Sequence, residues 1–159
     1  FVAALQVPHL LIDTVISVAQ AARPIVLCRD PGPGETNVPV DATIAFDLVD
    51  VGTAGIDRAS TQVFVDGVLA FDGLSRPALV GLYRSKLSVV ETGDSLRLVL
   101  APLMSFASLA EVTVRVVSQT CDGHRLDTSN SFVVEDRTAP RLLGAQATGQ
   151  KSVRVGFDE

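Results

Sequence analysis

Aromatic side chains are scarce in this chain. Its 159 residues include no Trp, one Tyr and seven Phe. Carbohydrate-binding sites usually present exposed rings on which sugars stack, whereas most of these Phe residues lie in apolar runs, where a place in a core is expected. The composition therefore disfavours a sugar-binding module.

Basic residues are also few. Thirteen Lys and Arg stand against eighteen Asp and Glu, which gives a net charge of −5. A nucleic-acid-binding domain would carry a basic stripe, so we expect no nucleic-acid partner. Hydrophobic residues make up 47% of the chain and charged residues 19%, which is typical of a folded protein.

Cysteine and histidine are limited to two each. A closed zinc site of four such ligands would need all of them. Cys28 and Cys121 could form a disulfide if their strands were neighbours, but two buried free thiols are the interpretation that we favour. Cys121, Asp122 and His124 could in principle make a thiolate nucleophile, yet side chains on one turn diverge, so we interpret them as turn residues.

Sequence motifs of catalysis are missing. The chain has no Gly-x-Ser-x-Gly and no His-Glu-x-x-His, and its Pro-Gly-Pro-Gly segment at 31–34 is not followed by Lys-Ser/Thr. Asp66 and Asp72 lack the dense oxygen-ligand loop of a calcium site. We therefore expect no enzyme activity, no catalytic residues, no metal and no cofactor.

The clearest structural pattern lies between Glu111 and Pro140. Three valines recur at period two, as in a half-buried strand: Val112, Val114 and Val116. Cys121–His124 is the predicted turn, because its Gly tolerates a positive φ. Ser131–Glu135 is the predicted return strand, and Pro140 interrupts the pattern because it has no N–H for a ladder.

Other strands are predicted upstream, at Pro24–Arg29, Thr43–Val49 and Asp94–Ala101, with a hairpin at Ser60–Asp72. Residues 79–90 fit either one strand with a bulge at Gly81 or two short strands. In the loop at 102–110 we expect Met104 and Phe106 to plug one end of the fold. Seven or eight strands, with turn signals about every ten residues, predict a Greek-key β-sandwich.

The first 22 residues form an apolar segment with Asp13 as its one formal charge. Apolar spacings of three and four predict a helix that begins near Pro8. A transmembrane helix would need about 20 apolar residues, and polar residues such as Asp13 interrupt this segment. A signal-peptide remnant would need a basic start, which this segment lacks. We favour a helix that docks on another part of an assembly or on its own sandwich, through this face: Leu11, Ile12, Val15, Ile16, Val18 and Ala19.

Four segments of the sequence resemble bacterial and phage immunoglobulin-like repeats, and the last of them, TAPRLLGAQATGQKSVRVGFDE at 138–159, is similar to the start of a further repeat. The opening segment matches at Gly34, Thr36, Val38, Pro39, Asp41, Ile44 and Phe46. The hairpin matches at Ile56, Ser60, Val63, Val65 and Gly67, and the run SFVVEDRTAP at 131–140 is similar to the place where one repeat closes and the next begins. His124 departs from the pattern, since the repeats often carry Asn there.

The apolar spacing of the first segment and the resemblance, which covers about Pro24 to Glu159, together predict three regions. The spacing assigns residues 1–23 to the docking helix. The resemblance implies an immunoglobulin-like sandwich at residues 24–136 and, at residues 137–159, a linker with the first strands of a second such domain, in which Val153, Val155 and Phe157 face inward. The expected fold is thus an all-β, immunoglobulin-like Greek-key β-sandwich preceded by an N-terminal α-helix. Because the chain opens on Phe1 and stops at Glu159 within this second cycle, we expect a longer polypeptide or a processed product.

The expected function is that of a non-enzymatic structural module. The resemblance and the docking segment favour a phage virion protein (tail, baseplate, fibre or capsid-associated) that contacts other structural proteins and forms a homo-oligomer, without a membrane span. Contact with a host surface is an open alternative. A second hypothesis is a stalk or adhesion module of a secreted bacterial surface protein, and a third is an accessory domain of a polysaccharide-degrading enzyme.

Overall fold

The computed structural model describes residues 24–74, 79–89 and 95–158. The predicted N-terminal helix and its docking face lie outside these residues and stay a prediction. No helix that is long and apolar enough to cross a membrane occurs within the described ranges.

Strands dominate the described chain. In order they are β1 (Pro24–Asp30), β2 (Ile44–Asp50), β3 (Ile56–Val65), β4 (Val68–Asp72), β5 (Leu79–Val80), β6 (Tyr83–Val89), β7 (Ser95–Pro102), β8 (Glu111–Thr120), β9 (Arg125–Val133), β10 (Leu142–Gly149) and β11 (Ser152–Phe157). The all-β class predicted from the alternation of apolar residues is confirmed.

The first nine strands form two antiparallel sheets. One has the order β1-β2-β7-β6-β5 and the other the order β4-β3-β8-β9. Ile44 and Phe46 come from β2 of the five-stranded sheet, and Val114 and Val116 come from β8 of the four-stranded sheet. All four side chains pack in one shared core between the sheets. The two sheets therefore make a β-sandwich, as expected from strands that are apolar on one face.

The period-two pattern places the core side chains as predicted. The fully or nearly fully buried set on three central strands is Ile44, Phe46, Leu48, Leu96, Leu98, Leu100, Val112, Val114 and Val116. Their sequence neighbours on the opposite faces are more exposed, such as Arg97 on β7 and Thr113 on β8. Burial of one face of each strand supplies the main stabilisation of such a fold.

The first described segments of the chain pair with both sheets, one after the other. β1 pairs with β2 in the five-stranded sheet. Residues 34–38 then run beside β9 of the other sheet, where Gly34 N donates to Ser131 O (2.7 Å) and Val38 N donates to Val133 O (3.1 Å). This segment pairs with residues 131–133 at the end of the β9 edge, so less of that edge is left to pair with another strand.

One predicted boundary was wrong, because the return strand begins at Arg125, six residues before the predicted Ser131. Of the two alternatives for residues 79–90, the described residues 79–89 form two strands separated by a turn at Gly81, which has a φ of 57°. Phe106 packs against the core as expected, but Met104 does not plug the sandwich, because it is 67% exposed.

Strands β10 and β11 form a separate two-stranded sheet. Every residue of both strands is exposed, including Val153, Val155 and Phe157. The predicted inward orientation of these three side chains is therefore not found in the described chain. That this hairpin begins a second immunoglobulin-like domain stays a prediction.

Candidate functional site

The chain enters the sandwich at one end and leaves it at the other. At the first end, Pro24 lies beside Asp50 in the β1–β2 pair, and Cys121 N donates to Gly55 O (2.9 Å). We call this the proximal end, and it comprises the start of β1, the loop at 51–55 and the turn at 121–124. The predicted docking segment precedes β1 directly, so it joins the sandwich at this end.

The chain leaves the sandwich at the opposite end. Here Asp66 N donates to Thr113 O (2.9 Å), Phe106 N donates to Val40 O (2.7 Å) and Leu109 N donates to Glu135 O (3.3 Å). We call this the distal end, and it comprises the β3–β4 turn, the loop at 103–110 and the end of β9. The linker to β10 starts at this end.

The loop at the proximal end is held by a buried carboxylate. Asp50 is 4% exposed. Its Oδ1 accepts a hydrogen bond from Gly52 N (2.9 Å) and its Oδ2 accepts one from Gly55 N (2.8 Å). A carboxylate in this position satisfies two backbone donors and fixes the loop, which is a structural role.

The turn with Cys121, Asp122 and His124 is organised around a carboxylate and a hydroxyl. His124 Nδ1 lies 3.0 Å from Asp122 Oδ1, and Thr120 Oγ1 donates a short hydrogen bond to the same oxygen. These bonds, that from Thr120 first, lower the pKa of Asp122. Thr120 Oγ1 also accepts from His124 N (3.0 Å). The imidazole thus pairs with Asp122, and the arrangement builds a turn.

Both cysteines are free and exposed. This corrects the expectation of buried thiols. On a regular strand Cys28 would share the face of Val26, which packs on the core, but the β1–β2 register shifts between Leu27 and Asp30 and Cys28 has a φ of 50°. This bulge leaves the Cys28 side chain at the surface. Cys121 lies in the exposed turn.

A small cavity lies between the two sheets of the sandwich. It measures about 10 Å³ and lies between the sheets beside Arg29, Phe46, Val116 and Asn130. Arg29 Nη2 donates to Thr128 Oγ1 (3.4 Å), while its buried Nε has no hydrogen-bond partner among the described residues. A space of this size holds about one water molecule, so it does not fit an organic ligand.

The outer face of the four-stranded sheet is polar and charged. The Arg115 guanidinium lies 5.9 Å from the centroid of the Phe64 ring, and its Nε donates to Asp127 Oδ1 (2.8 Å). This hydrogen bond lowers the pKa of Asp127. Among residues 24–74, 79–89 and 95–158, no group of three or more His, Cys, Asp or Glu is placed to hold a metal ion.

Comparison with known proteins concerns the fold. No protein-family profile matches the sequence, and no curated protein matches it significantly. CopC from Methylosinus trichosporium OB3b is similar in structure, with 13% identity and a TM-score of 0.47 over 73% of this chain and 97% of CopC.

Two further solved structures are similar. Dimeric latent PorU from Porphyromonas gingivalis has 13% identity and a TM-score of 0.48 over 90% of this chain and 14% of PorU. The N-terminal Ig1-2 module of the Drosophila receptor protein tyrosine phosphatase DLAR has 16% identity and a TM-score of 0.38 over 77% of this chain and 56% of the module. At these identities and TM-scores the similarities carry no argument about the function of this chain.

Proposed function

We propose that the chain is a non-enzymatic structural module of a phage virion protein. In this proposal the N-terminal segment docks on the particle, and the sandwich projects the units that follow it. The alternative setting is the stalk of a secreted bacterial surface protein. The family resemblance to immunoglobulin-like repeats, given by the sequence, supports both settings.

The observation that carries the structural role is the position of the chain's two connections. Pro24 lies at the proximal end and Glu135 at the distal end of the same sandwich. The ten residues of β8 alone span about 33 Å. A module of this kind displaces whatever follows it by about the length of a strand, which is what a spacer requires.

The absence of enzymatic activity remains part of the proposal. Two observations support it: the His124 imidazole pairs with Asp122 within the turn, and the cavity of about 10 Å³ between the sheets is too small for an organic substrate. The outer sheet face that carries Arg115 and Asp127 is exposed, so it is suited to contact with solvent or with a partner protein. Contacts with other structural proteins and with further copies of the chain belong to the same proposal.

The first experiment is sedimentation of native material from the producing organism, probed with an antibody to this chain. Co-sedimentation with a particle at fixed stoichiometry would support the virion component. A free elongated species or recovery with a cell envelope would support the stalk of a surface protein instead. A chain that is compact and free in solution would contradict both settings.

A second experiment tests the docking segment. Deletion of residues 1–22 should leave the sandwich folded and abolish incorporation, because the buried side chains of the described strands pack against one another in a shared core. The paired substitutions Leu11→Ser and Val15→Ser should act like the deletion, whereas Gln6→Ser with Gln20→Ser should not. An unfolded deletion product would show that the segment belongs to the core.

A further inference from the structure

Residues 136–138, in the linker between β9 and β10, are fixed to the loop between β7 and β8. Ser108 Oγ donates to Asp136 Oδ1 (2.9 Å) and accepts from Arg137 N (2.8 Å). Asp136 Oδ1 also accepts from Thr138 N (2.8 Å). We call these four residues the clasp. Through it, residues 136–138 extend the ordered body of the sandwich beyond its last strand.

Glu135 strengthens the base of the clasp. Its backbone O accepts from Leu109 N (3.3 Å), and its Oε1 accepts from Val40 N (3.2 Å) and from Arg137 Nε (2.8 Å). Two separate segments of the distal end, the one that contains Val40 and the loop at 103–110, therefore converge on the start of the linker.

The other end of the linker is held by the hairpin. Arg141 N donates to Asp158 Oδ1 (2.7 Å), and Asp158 N donates to Arg141 O (3.2 Å). This reciprocal pair continues the β10–β11 ladder by one position. Arg141 is thus part of the hairpin and not of a free linker.

Only Ala139 and Pro140 remain between the two fixed segments. The pyrrolidine ring locks the φ of Pro140 near about −65°. A residue before proline is restricted to extended conformations, which limits the ψ of Ala139. Two of the four main torsion angles in this stretch are therefore restricted by covalent structure.

We propose that the clasp and Pro140 together form a stiff joint, which holds the β10–β11 unit in a restricted orientation relative to the sandwich. This inference rests on the proposed function and deepens it. A freely jointed linker would let successive units move independently, whereas a stiff joint passes the direction of one unit to the next. The protein would then act as a rod and not as a string of loosely linked domains.

The test is ¹⁵N relaxation on the full chain and its variants. In the wild type, residues 136–138 and 141 should have order parameters of about 0.85, like the strands. In Ser108→Ala the values for 136–138 should fall below about 0.6, the range of a flexible segment. The matched control is Ser105→Ala, in the same loop, because Ser105 is exposed and makes no side-chain hydrogen bond within the described residues.

Two more variants separate the parts of the joint. Asp136→Ala removes the clasp from the linker side and should act like Ser108→Ala, and it remains informative if Ser108→Ala disturbs the loop. Pro140→Gly should leave residues 136–138 rigid but give the hairpin a rotational diffusion of its own. Low order parameters at 136–138 or across 142–157 in the wild type would overturn the proposal, as would unchanged values in both clasp variants.

The stiff joint and the proposed function can be refuted separately. A flexible joint in a chain that still sediments with a particle would refute the stiff joint alone. A stiff joint in a chain that belongs to no assembly or surface would refute the proposed setting alone.

Discussion

Phe132 is the large side chain whose removal should damage the sandwich most clearly. It is 1% exposed on the inner face of β9, and its ring meets the Phe106 ring edge to face, with centroids 5.8 Å apart and planes at 78°. Phe132→Ala removes this apolar surface from the core and leaves a cavity that close-packed strands cannot fill. The expected loss in the free energy of unfolding is about 3–5 kcal/mol.

Urea unfolding followed by far-ultraviolet circular dichroism measures this loss. With a slope of about 2 kcal/mol per M, the midpoint of Phe132→Ala should fall by about 1.5–2.5 M. The size-matched control is Phe157→Ala, because Phe157 is 53% exposed on β11. Its effect should stay within about 0.5 kcal/mol, as for other surface substitutions.

A double-mutant cycle with Phe106→Ala isolates the ring pair. Edge-to-face pairs contribute about 0.5–1.5 kcal/mol beyond burial, so the two substitutions should be less than additive by about that amount. A loss below about 1 kcal/mol in Phe132→Ala would refute the packing argument, since it would place the ring outside a close-packed core. Equal losses in Phe132→Ala and Phe157→Ala would refute the distinction between the sandwich core and the hairpin.

Three further predictions concern polar groups. Thr61 Oγ1 and Ser118 Oγ lie 2.8 Å apart in the interior, so Thr61→Val should cost about 1–3 kcal/mol in urea unfolding by leaving Ser118 unpaired, and a cost below about 0.5 kcal/mol would contradict this. Cys28 and Cys121 are exposed, so both thiols should react with Ellman's reagent in the native protein, and protection of either one would contradict its placement. Hydrogen bonds from Thr138 and then Ser108 lower the pKa of Asp136, so the clasp should persist at pH 4 and loosen as the pH falls through that depressed pKa, whereas Asp136→Asn should abolish this pH dependence of the order parameters at 136–138.

The sandwich was largely predictable because its core follows a simple period. Ile44, Leu98 and Val114 belong to strands in which every second residue is apolar, and period-two alternation determines which face is buried. The Asp66–Gly67 turn was predictable for a similar local reason, since both residues have positive φ values, of 50° and 75°.

The start of β9 could not be found by the same pattern. Residues 125–130 are mostly polar, and the inner positions Leu126, Thr128 and Asn130 are only half-buried at the edge of the sheet. This part of the strand is defined by its pairing with β8, in the register Gln119 with Arg125. Long-range pairing of this kind leaves little trace in local composition.

The candidate joint and the exposed thiols were missed for a different reason. Cys28 is exposed because one bulge shifts the register of β1, and a bulge depends on the partner strand. Ser108 and Asp136 are 28 residues apart, so only the fold brings their side chains together. The sequence offered only Pro140 as a signal, and this residue indicates a linker but not the hydrogen bonds that fix it.

The placement of the two connections follows from how often the chain crosses the sandwich. Every paired neighbour in the two sheets is antiparallel, and the nine strands from β1 to β9 alternate in direction. An odd number of crossings carries the chain from the proximal to the distal end, whereas an even number would return it to its start. Insertion or loss of a whole hairpin would keep this parity, because it changes the count by two. The position of the two connections at opposite ends therefore depends on the number of strands and not on any single side chain. In the proposed joint, the orientation of the β10–β11 unit relative to the sandwich depends on Ser108, Asp136 and Pro140.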